Sequence, residues 1–207
     1  ASTTCLDCIA GRYSPAVGAN DSSACLSCAA GTYSTTVGAN TTEVCTACPA
    51  GKYSTVLAAN ASTTCRDCTA GRYSPAVGAN DSRTCNQALV GSFAADSFGV
   101  GVPSGAVKAQ PCPRGTFSTE VGAISCATCQ FCEAGKYSEL LGVSSCFDCI
   151  RGRASSAVGE ENKETCVDRK EWTIRKFQRD TKMSSPGPLD TSSRSSNKEV
   201  RRSQRLL

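Results

Sequence analysis

An aromatic residue recurs at one fixed place in a pattern that repeats every 20 residues along the first part of the chain. Tyr13, Tyr33, Tyr53 and Tyr73 each stand five residues after a cysteine, in the motif C-x-x-G-x-Y-S. Glycine, proline, serine and asparagine occupy many of the following positions, and these residues favour turns. No apolar period of 3.6 residues indicates an amphipathic helix. The pattern therefore predicts a tandem-repeat protein built from short irregular strands and turns.

Each repeat runs from an opening cysteine to a closing cysteine. The regular openers are Cys8, Cys28, Cys48 and Cys68, and their closers are Cys25, Cys45, Cys65 and Cys85. A closer and the next opener form a C-x-x-C. Residues 1–25 and 61–85 differ only at Leu6/Arg66, Ile9/Thr69, Ser23/Arg83 and Ala24/Thr84. This near-identity indicates a duplicated block of three repeats.

The fifth repeat lacks both of its cysteines. Ala88 stands at the opening position and Ala109 at the closing position, while Gly91 and Phe93 keep the motif. Loss of both partners removes one bridge without leaving a free thiol. We infer from this joint loss that the opener and closer of one repeat are bonded to each other. Residues 93–107 are expected to form the most mobile loop of the array.

Three further repeats open at Cys112, Cys132 and Cys149. Within the sixth repeat Cys126 and Cys129 compete for the closing position, and Cys5 is left over at the start of the chain. The expected bridges are Cys8–Cys25, Cys28–Cys45, Cys48–Cys65, Cys68–Cys85, Cys132–Cys146, Cys149–Cys166, and Cys112 with either Cys126 or Cys129.

The composition favours disulfides over a large hydrophobic core. Leu, Ile, Val and Phe number 33 of 207 residues, about 16 %, whereas all 16 cysteines lie in the first 166 residues. Such a density is typical of secreted disulfide scaffolds. The C-x-x-C spacing also matches four-cysteine zinc sites. The uniform spacer along the array and the joint loss at Ala88 and Ala109 favour disulfides.

Charge and residue content exclude several classes of function. Histidine is absent, which removes the commonest general base and metal ligand. Residues 1–166 carry 11 basic and 13 acidic residues, a net charge of −2, so nucleic acid is not an expected partner. No apolar run approaches the ~20 residues of a membrane span. We therefore predict a non-enzyme without a cofactor or metal ion.

The motif N-x-S/T occurs at the same point of four successive repeats, at Asn20, Asn40, Asn60 and Asn80. These asparagines are candidate N-glycosylation sites in a secreted protein. Asn-Asp-Ser and Asn-Thr-Thr also form turns without any sugar, so the turn interpretation stays open.

The unit C-x-x-C-x-x-G-x-Y-S-x-x-x-G-x(n)-C, over about residues 5–166, resembles the tyrosine-kinase ephrin type A/B receptor-like cysteine-rich repeat. It is more loosely similar to the growth-factor-receptor and tumour-necrosis-factor-receptor cysteine-rich modules. The resemblance implies an extracellular, disulfide-laddered rod within a larger receptor-like or secreted protein. The fifth repeat and the doubled closer depart from it.

The predicted fold is a small disulfide-rich, mostly irregular chain with short β-strands, arranged as an elongated tandem-repeat rod in which each repeat contacts only its neighbours. Its parts are four regular repeats over 1–87, a degenerate repeat over 88–111, three repeats over 112–166, and a basic, disordered tail over 167–207. The chain opens in mid-pattern without Met, so we interpret it as a fragment. A membrane connection would then lie in missing parts.

The expected function is a ligand-binding, partner-binding or spacer module outside the cell, with an extracellular protein or glycan as partner. A structural wall or matrix protein and an intracellular zinc-binding array with four cysteines per site are the alternatives.

Overall fold

The computed structural model describes residues 7–18, 21–168 and Lys170. Over this range the backbone is mostly irregular, with short β-strands paired in chain order as antiparallel hairpins, so the predicted disulfide-rich fold class is confirmed. The hairpins are β1 (Arg12–Tyr13) with β2 (Leu26–Ser27), β3 (Thr32–Tyr33) with β4 (Thr46–Ala47), β5 (Lys52–Tyr53) with β6 (Arg66–Asp67), β7 (Arg72–Tyr73) with β8 (Asn86–Gln87), β9 (Ser92–Ala95) with β10 (Lys108–Pro111), β11 (Thr116–Phe117) with β12 (Gln130–Phe131), β13 (Lys136–Tyr137) with β14 (Phe147–Asp148), and β15 (Arg153–Ala154) with β16 (Val167–Asp168).

Short 3-10 helices precede most of the closing cysteines. They span Ser22–Ala24, Thr42–Val44, Ser62–Thr64, Ser82–Thr84, Cys126–Thr128 and Lys163–Thr165. In the second repeat, for example, the amide of Cys45 donates to the carbonyl of Thr42 at 2.9 Å and ends the helix. Each helix thereby delivers its closing cysteine to the start of the returning strand.

The second repeat shows how the sequence motif forms a hairpin. The turn after Cys28 passes through Gly31 at φ +85°, a left-handed conformation that glycine adopts without a steric penalty. The motif tyrosine, Tyr33, then pairs with Thr46, the residue directly after the closing cysteine. The hairpin therefore joins the opening motif of one repeat to the C-x-x-C that leads into the next.

Neighbouring repeats are joined through their backbones. Tyr33 forms a parallel bridge with Ala59 of the third repeat, and the amide of Ser34 donates to the Ala59 carbonyl at 2.9 Å. In the opposite direction the amide of Ala58 donates to the carbonyl of Cys28 at 2.9 Å. Because these bonds use main-chain atoms, stacking tolerates changes of side chain from repeat to repeat.

Contacts also reach the next repeat but one, so the expectation that each repeat contacts only its neighbours is wrong. A Cβ placed on Gly31 would lie 2.2 Å from the carbonyl oxygen of Gly78, two repeats further on. The opening glycines of the first six repeats all meet a turn carbonyl in this way. They are Gly11, Gly31, Gly51, Gly71, Gly91 and Gly115. The absence of a side chain at these positions lets alternate repeats touch.

The fifth repeat replaces its missing bridge with a longer hairpin and small buried side chains. Ala94 pairs with Ala109, the vacated closing position, and Ala88 at the vacated opening position is fully buried. Ala88 packs with Ala94 and Ala106, and Tyr73 of the preceding repeat packs against this cluster. The expectation of a loop over 93–107 is therefore wrong at its start, since Phe93, Ala94 and Ala95 lie in β9 and are buried.

Val167 and Asp168 form β16, which completes the eighth hairpin, so the repeat array reaches two residues past Cys166. The rest of the expected tail, apart from Lys170, lies outside the described residues. None of the helices within the described residues has the length and apolar character needed to cross a bilayer.

Candidate functional site

Within the residues that the structure describes, seven disulfides form a ladder, one in each repeat except the fifth. The bonded pairs are Cys8–Cys25, Cys28–Cys45, Cys48–Cys65, Cys68–Cys85, Cys112–Cys129, Cys132–Cys146 and Cys149–Cys166. Most of the openers are nearly inaccessible, with exposures of 4 % at Cys8 and 0 % at Cys28, for example. Opener and closer of one repeat are thus bonded, as the joint loss at Ala88 and Ala109 indicates.

The sixth repeat closes at Cys129, which leaves Cys126 as an exposed thiol among the cysteines in the described residues. The expectation that Cys126 is a bridged cysteine is therefore wrong. The physical reason is hairpin register: Phe117 pairs with Gln130, the residue directly after Cys129. The sequence held this signal, because the closers of the other repeats stand three residues before the next opening position. Cys5 lies outside the described residues.

Three of the four N-x-S/T asparagines lie on the surface, and Asn20 falls outside the described residues. Asn40, Asn60 and Asn80 are exposed. Each follows a buried alanine and is followed two residues later by the first residue of a 3-10 helix. The side chains are therefore accessible while the flanking backbone is held in place.

An aliphatic residue stands exposed before the second turn of most repeats, a recurrence that the sequence reasoning missed. The exposed fraction is 62 % at Val37, 67 % at Leu57 and 66 % at Val77. The equivalent residues elsewhere are Val17, Val121, Leu141 and Val158. This spacing of apolar surface gives the array a repeated contact position along its length.

Basic side chains after the opening glycine stabilise five of the eight hairpins. Arg12, Arg72 and Arg153 donate to the carbonyl of their own repeat's closing cysteine, at 2.9, 3.0 and 3.3 Å. Lys52 and Lys136 instead reach an aspartate on the partner strand, Asp67 and Asp148, at 2.5 Å. The hydrogen bond from Lys136 to Asp148 raises the pKa of that lysine.

A shallow cleft of about 360 Å³ lies where the third and fourth repeats meet. Its lining is Tyr53, Thr69, Arg72, Ser82, Arg83 and Cys85. The side chain of Arg83 forms two hydrogen bonds of 3.0 Å with the Asp81 carboxylate. This bond to Arg83 lowers the pKa of Asp81, and the same contact raises the pKa of the Arg83 guanidinium. Nothing in the sequence reasoning singled out this cleft.

Within the described residues no group of three or more His, Cys, Asp or Glu side chains is placed to hold a metal ion. Cys25 and Cys28, for example, are bonded to Cys8 and Cys45, so this C-x-x-C does not present a pair of free thiolates to a metal ion.

Comparisons with known proteins do not add a family to this picture. A scan against protein-family models found no matching family, and a search of the curated proteins found no match either.

Proposed function

We propose that this chain is a non-catalytic extracellular segment of a receptor-like or secreted protein. Its role is to bind an extracellular protein or glycan, or to hold neighbouring parts of that protein apart. The ephrin receptor-like repeat is the type whose motif it resembles.

The disulfide ladder is the observation that carries this proposal. A bridge between cysteines 17 residues apart raises the free energy of unfolding by about 3 kcal/mol in the chain-entropy model. The half-buried motif tyrosine, which is present in five of the eight repeats, contributes less, since full burial of such a side chain stabilises the fold by about 1.5–3 kcal/mol. A protein that depends on its bridges to this degree is stable in an oxidising compartment.

The surface supports a binding role. Exposed aliphatic residues, exposed asparagines and a polar cleft lie on a scaffold fixed by backbone hydrogen bonds and disulfides. A rigid scaffold of this kind lowers the entropy lost when a partner binds. We also propose that Asn40, Asn60 and Asn80, and Asn20 outside the described range, carry N-glycans in a eukaryotic secretory host.

Production in two compartments tests the proposal. Protein recovered from a secretory pathway should contain the seven bridges by non-reducing peptide mapping, bind no zinc by metal analysis, and show protected amides in hydrogen exchange. The same chain made in a reducing cytosol should lack protection. Folded protein with free thiols and bound metal would instead establish the zinc array and overturn the proposal.

A further inference from the structure

The two copies of the duplicated block have diverged at one place on the surface. Of the four positions that differ between residues 1–25 and 61–85, two lie in the cleft described above, as Thr69 and Arg83. A third, Arg66, stands opposite the cleft residue Tyr53 in the β5–β6 hairpin. The changes replace Ile9 by Thr69 and Ser23 by Arg83, so polar and cationic groups gather where the other copy is apolar or neutral.

Each guanidinium group in this cleft has a hydrogen-bond partner in the protein, and both arginines are exposed to ligands, with the Arg83 side chain 89 % exposed. Arg83 is held by the Asp81 carboxylate through Nε and Nη2, and Arg72 is held by the Cys85 carbonyl through Nη1. Each arginine keeps further N–H donors that have no acceptor within the described residues. Arginine N–H donors bind sulfate or carboxylate oxygens well. The hydroxyls of Thr69 and Ser82 add neutral donors beside them.

Charge concentrates in the same part of the array. Residues 48–85 carry Lys52, Arg66, Arg72 and Arg83 against Asp67 and Asp81, a net charge of +2. Residues 8–45 have a net charge of −1, and residues 88–166 have a net charge of −2. The third and fourth repeats therefore form the one electropositive stretch of a weakly acidic array, which attracts anions to this cleft.

We propose that the cleft between the third and fourth repeats binds an anionic saccharide through its sulfate or carboxylate groups. Its volume of about 360 Å³ suits one or two sugar residues. Arg72 and Arg83 bind the anionic group, Thr69 and Ser82 bind hydroxyls, and the Tyr53 ring offers an apolar face to the sugar. This inference rests on the proposed extracellular function and names a ligand class for it.

Fluorescence anisotropy with a labelled, sulfated heparin tetrasaccharide tests the site on the full oxidised chain, and the desulfated tetrasaccharide separates sulfate from carboxylate recognition. Arg83→Ser should weaken binding roughly ten- to hundred-fold, because it removes a charged hydrogen-bond donor. Folding should be retained, since Ser23 occupies the equivalent position in the first repeat. Thr69→Ile, which restores the residue of the first repeat, should weaken binding by several-fold.

Arg151→Ser is the matched control, because it removes the same charge at an exposed position of the eighth repeat. It should change the affinity less than two-fold. Equal losses for Arg83→Ser and Arg151→Ser would show non-specific attraction and overturn the site. No binding of either saccharide at millimolar concentration by protein with all seven bridges intact would also overturn the site, while the proposed function would stand. Protein without bridges would contradict both.

Discussion

The carbonyl oxygen of Gly78 lies directly against the α-carbon of Gly31, so close that a Cβ on Gly31 would be 2.2 Å from it. The two residues belong to alternate repeats and lie in different turns. Gly31 forms the opening turn of the second repeat, whereas Gly78 lies in the second turn of the fourth and donates its amide to the Cys48 carbonyl at 2.7 Å. One glycine turn thus connects three successive repeats.

Gly31→Ala should therefore destabilise the array far more than a left-handed backbone alone requires. The conformation at φ +85° costs an L-residue about 1–2 kcal/mol. Displacing the Gly78 carbonyl adds about 1–3 kcal/mol, the range for overpacking. Hydrogen exchange should show loss of protection at the amides of Ser34 and Gly78, together with a lower denaturation midpoint.

Gly152→Ala is the control for backbone conformation. Gly152 has φ +90°, yet nothing within the described residues comes within 4 Å of a Cβ placed there. Its substitution should cost only the conformational term of about 1–2 kcal/mol. Equal effects at Gly31 and Gly152 would show that contact between alternate repeats contributes nothing to stability.

The fold was largely predictable because the sequence of each repeat determines the local structure of that repeat. Cysteine spacing, the opening glycine and the aromatic position are signals within one 20-residue unit, and they give the hairpin and its bridge. Contact between alternate repeats is not encoded in any single unit. Only the structure shows that Gly31 combines a positive φ with a close approach to the backbone of another repeat.

The candidate site was much less predictable. The cleft joins Tyr53 of one repeat to Arg72 and Arg83 of the next, and their order along the chain does not bring these residues together. The sequence did reveal that position 83 differs from its counterpart, Ser23. The sequence did not reveal that Arg83 lies near Tyr53 of the preceding repeat. The exposed aliphatic residue before the second turn was visible in the repeat but has no distinctive chemistry.

A disulfide should form in the fifth repeat when both vacated positions are refilled. Ala109 pairs with Ala94 and directly precedes Gln110, which pairs with Phe93, just as Cys45 directly precedes Thr46, which pairs with Tyr33. Ala88→Cys with Ala109→Cys, made in a Cys126→Ser background to prevent exchange, should give an eighth bridge. The new loop should contribute about 3 kcal/mol in the chain-entropy model.

Mass spectrometry of alkylated protein reads out this bridge, and each single substitution is its control. Ala88→Cys alone and Ala109→Cys alone should each leave one additional alkylatable thiol under denaturing, non-reducing conditions. If the double variant keeps two free thiols after oxidative refolding, Ala88 and Ala109 do not occupy the opening and closing positions.

Substitution of the two candidate closing cysteines of the sixth repeat should affect stability very differently. Cys129→Ser breaks the bridge to Cys112, a fully buried residue, and should cost about 3 kcal/mol for a loop of this size. Cys126→Ser changes an exposed thiol and should alter stability by less than about 0.5 kcal/mol. Denaturation midpoints check both values. A larger loss from Cys126→Ser would mean that Cys126, and not Cys129, closes the repeat.

Glycosylation should follow the exposure of the asparagines in the first four repeats. Protein from a eukaryotic secretory host should lose one glycan mass for each of Asn40→Gln, Asn60→Gln and Asn80→Gln, because all three side chains are exposed. Asn86→Gln is the matched control: Asn86 is also exposed, but Ala88 stands where the motif requires Ser or Thr, so the glycan mass should not change. Endoglycosidase treatment measures the sugar directly. An unchanged mass after treatment of the wild-type chain would leave these asparagines with a purely structural role in the turn that precedes each 3-10 helix.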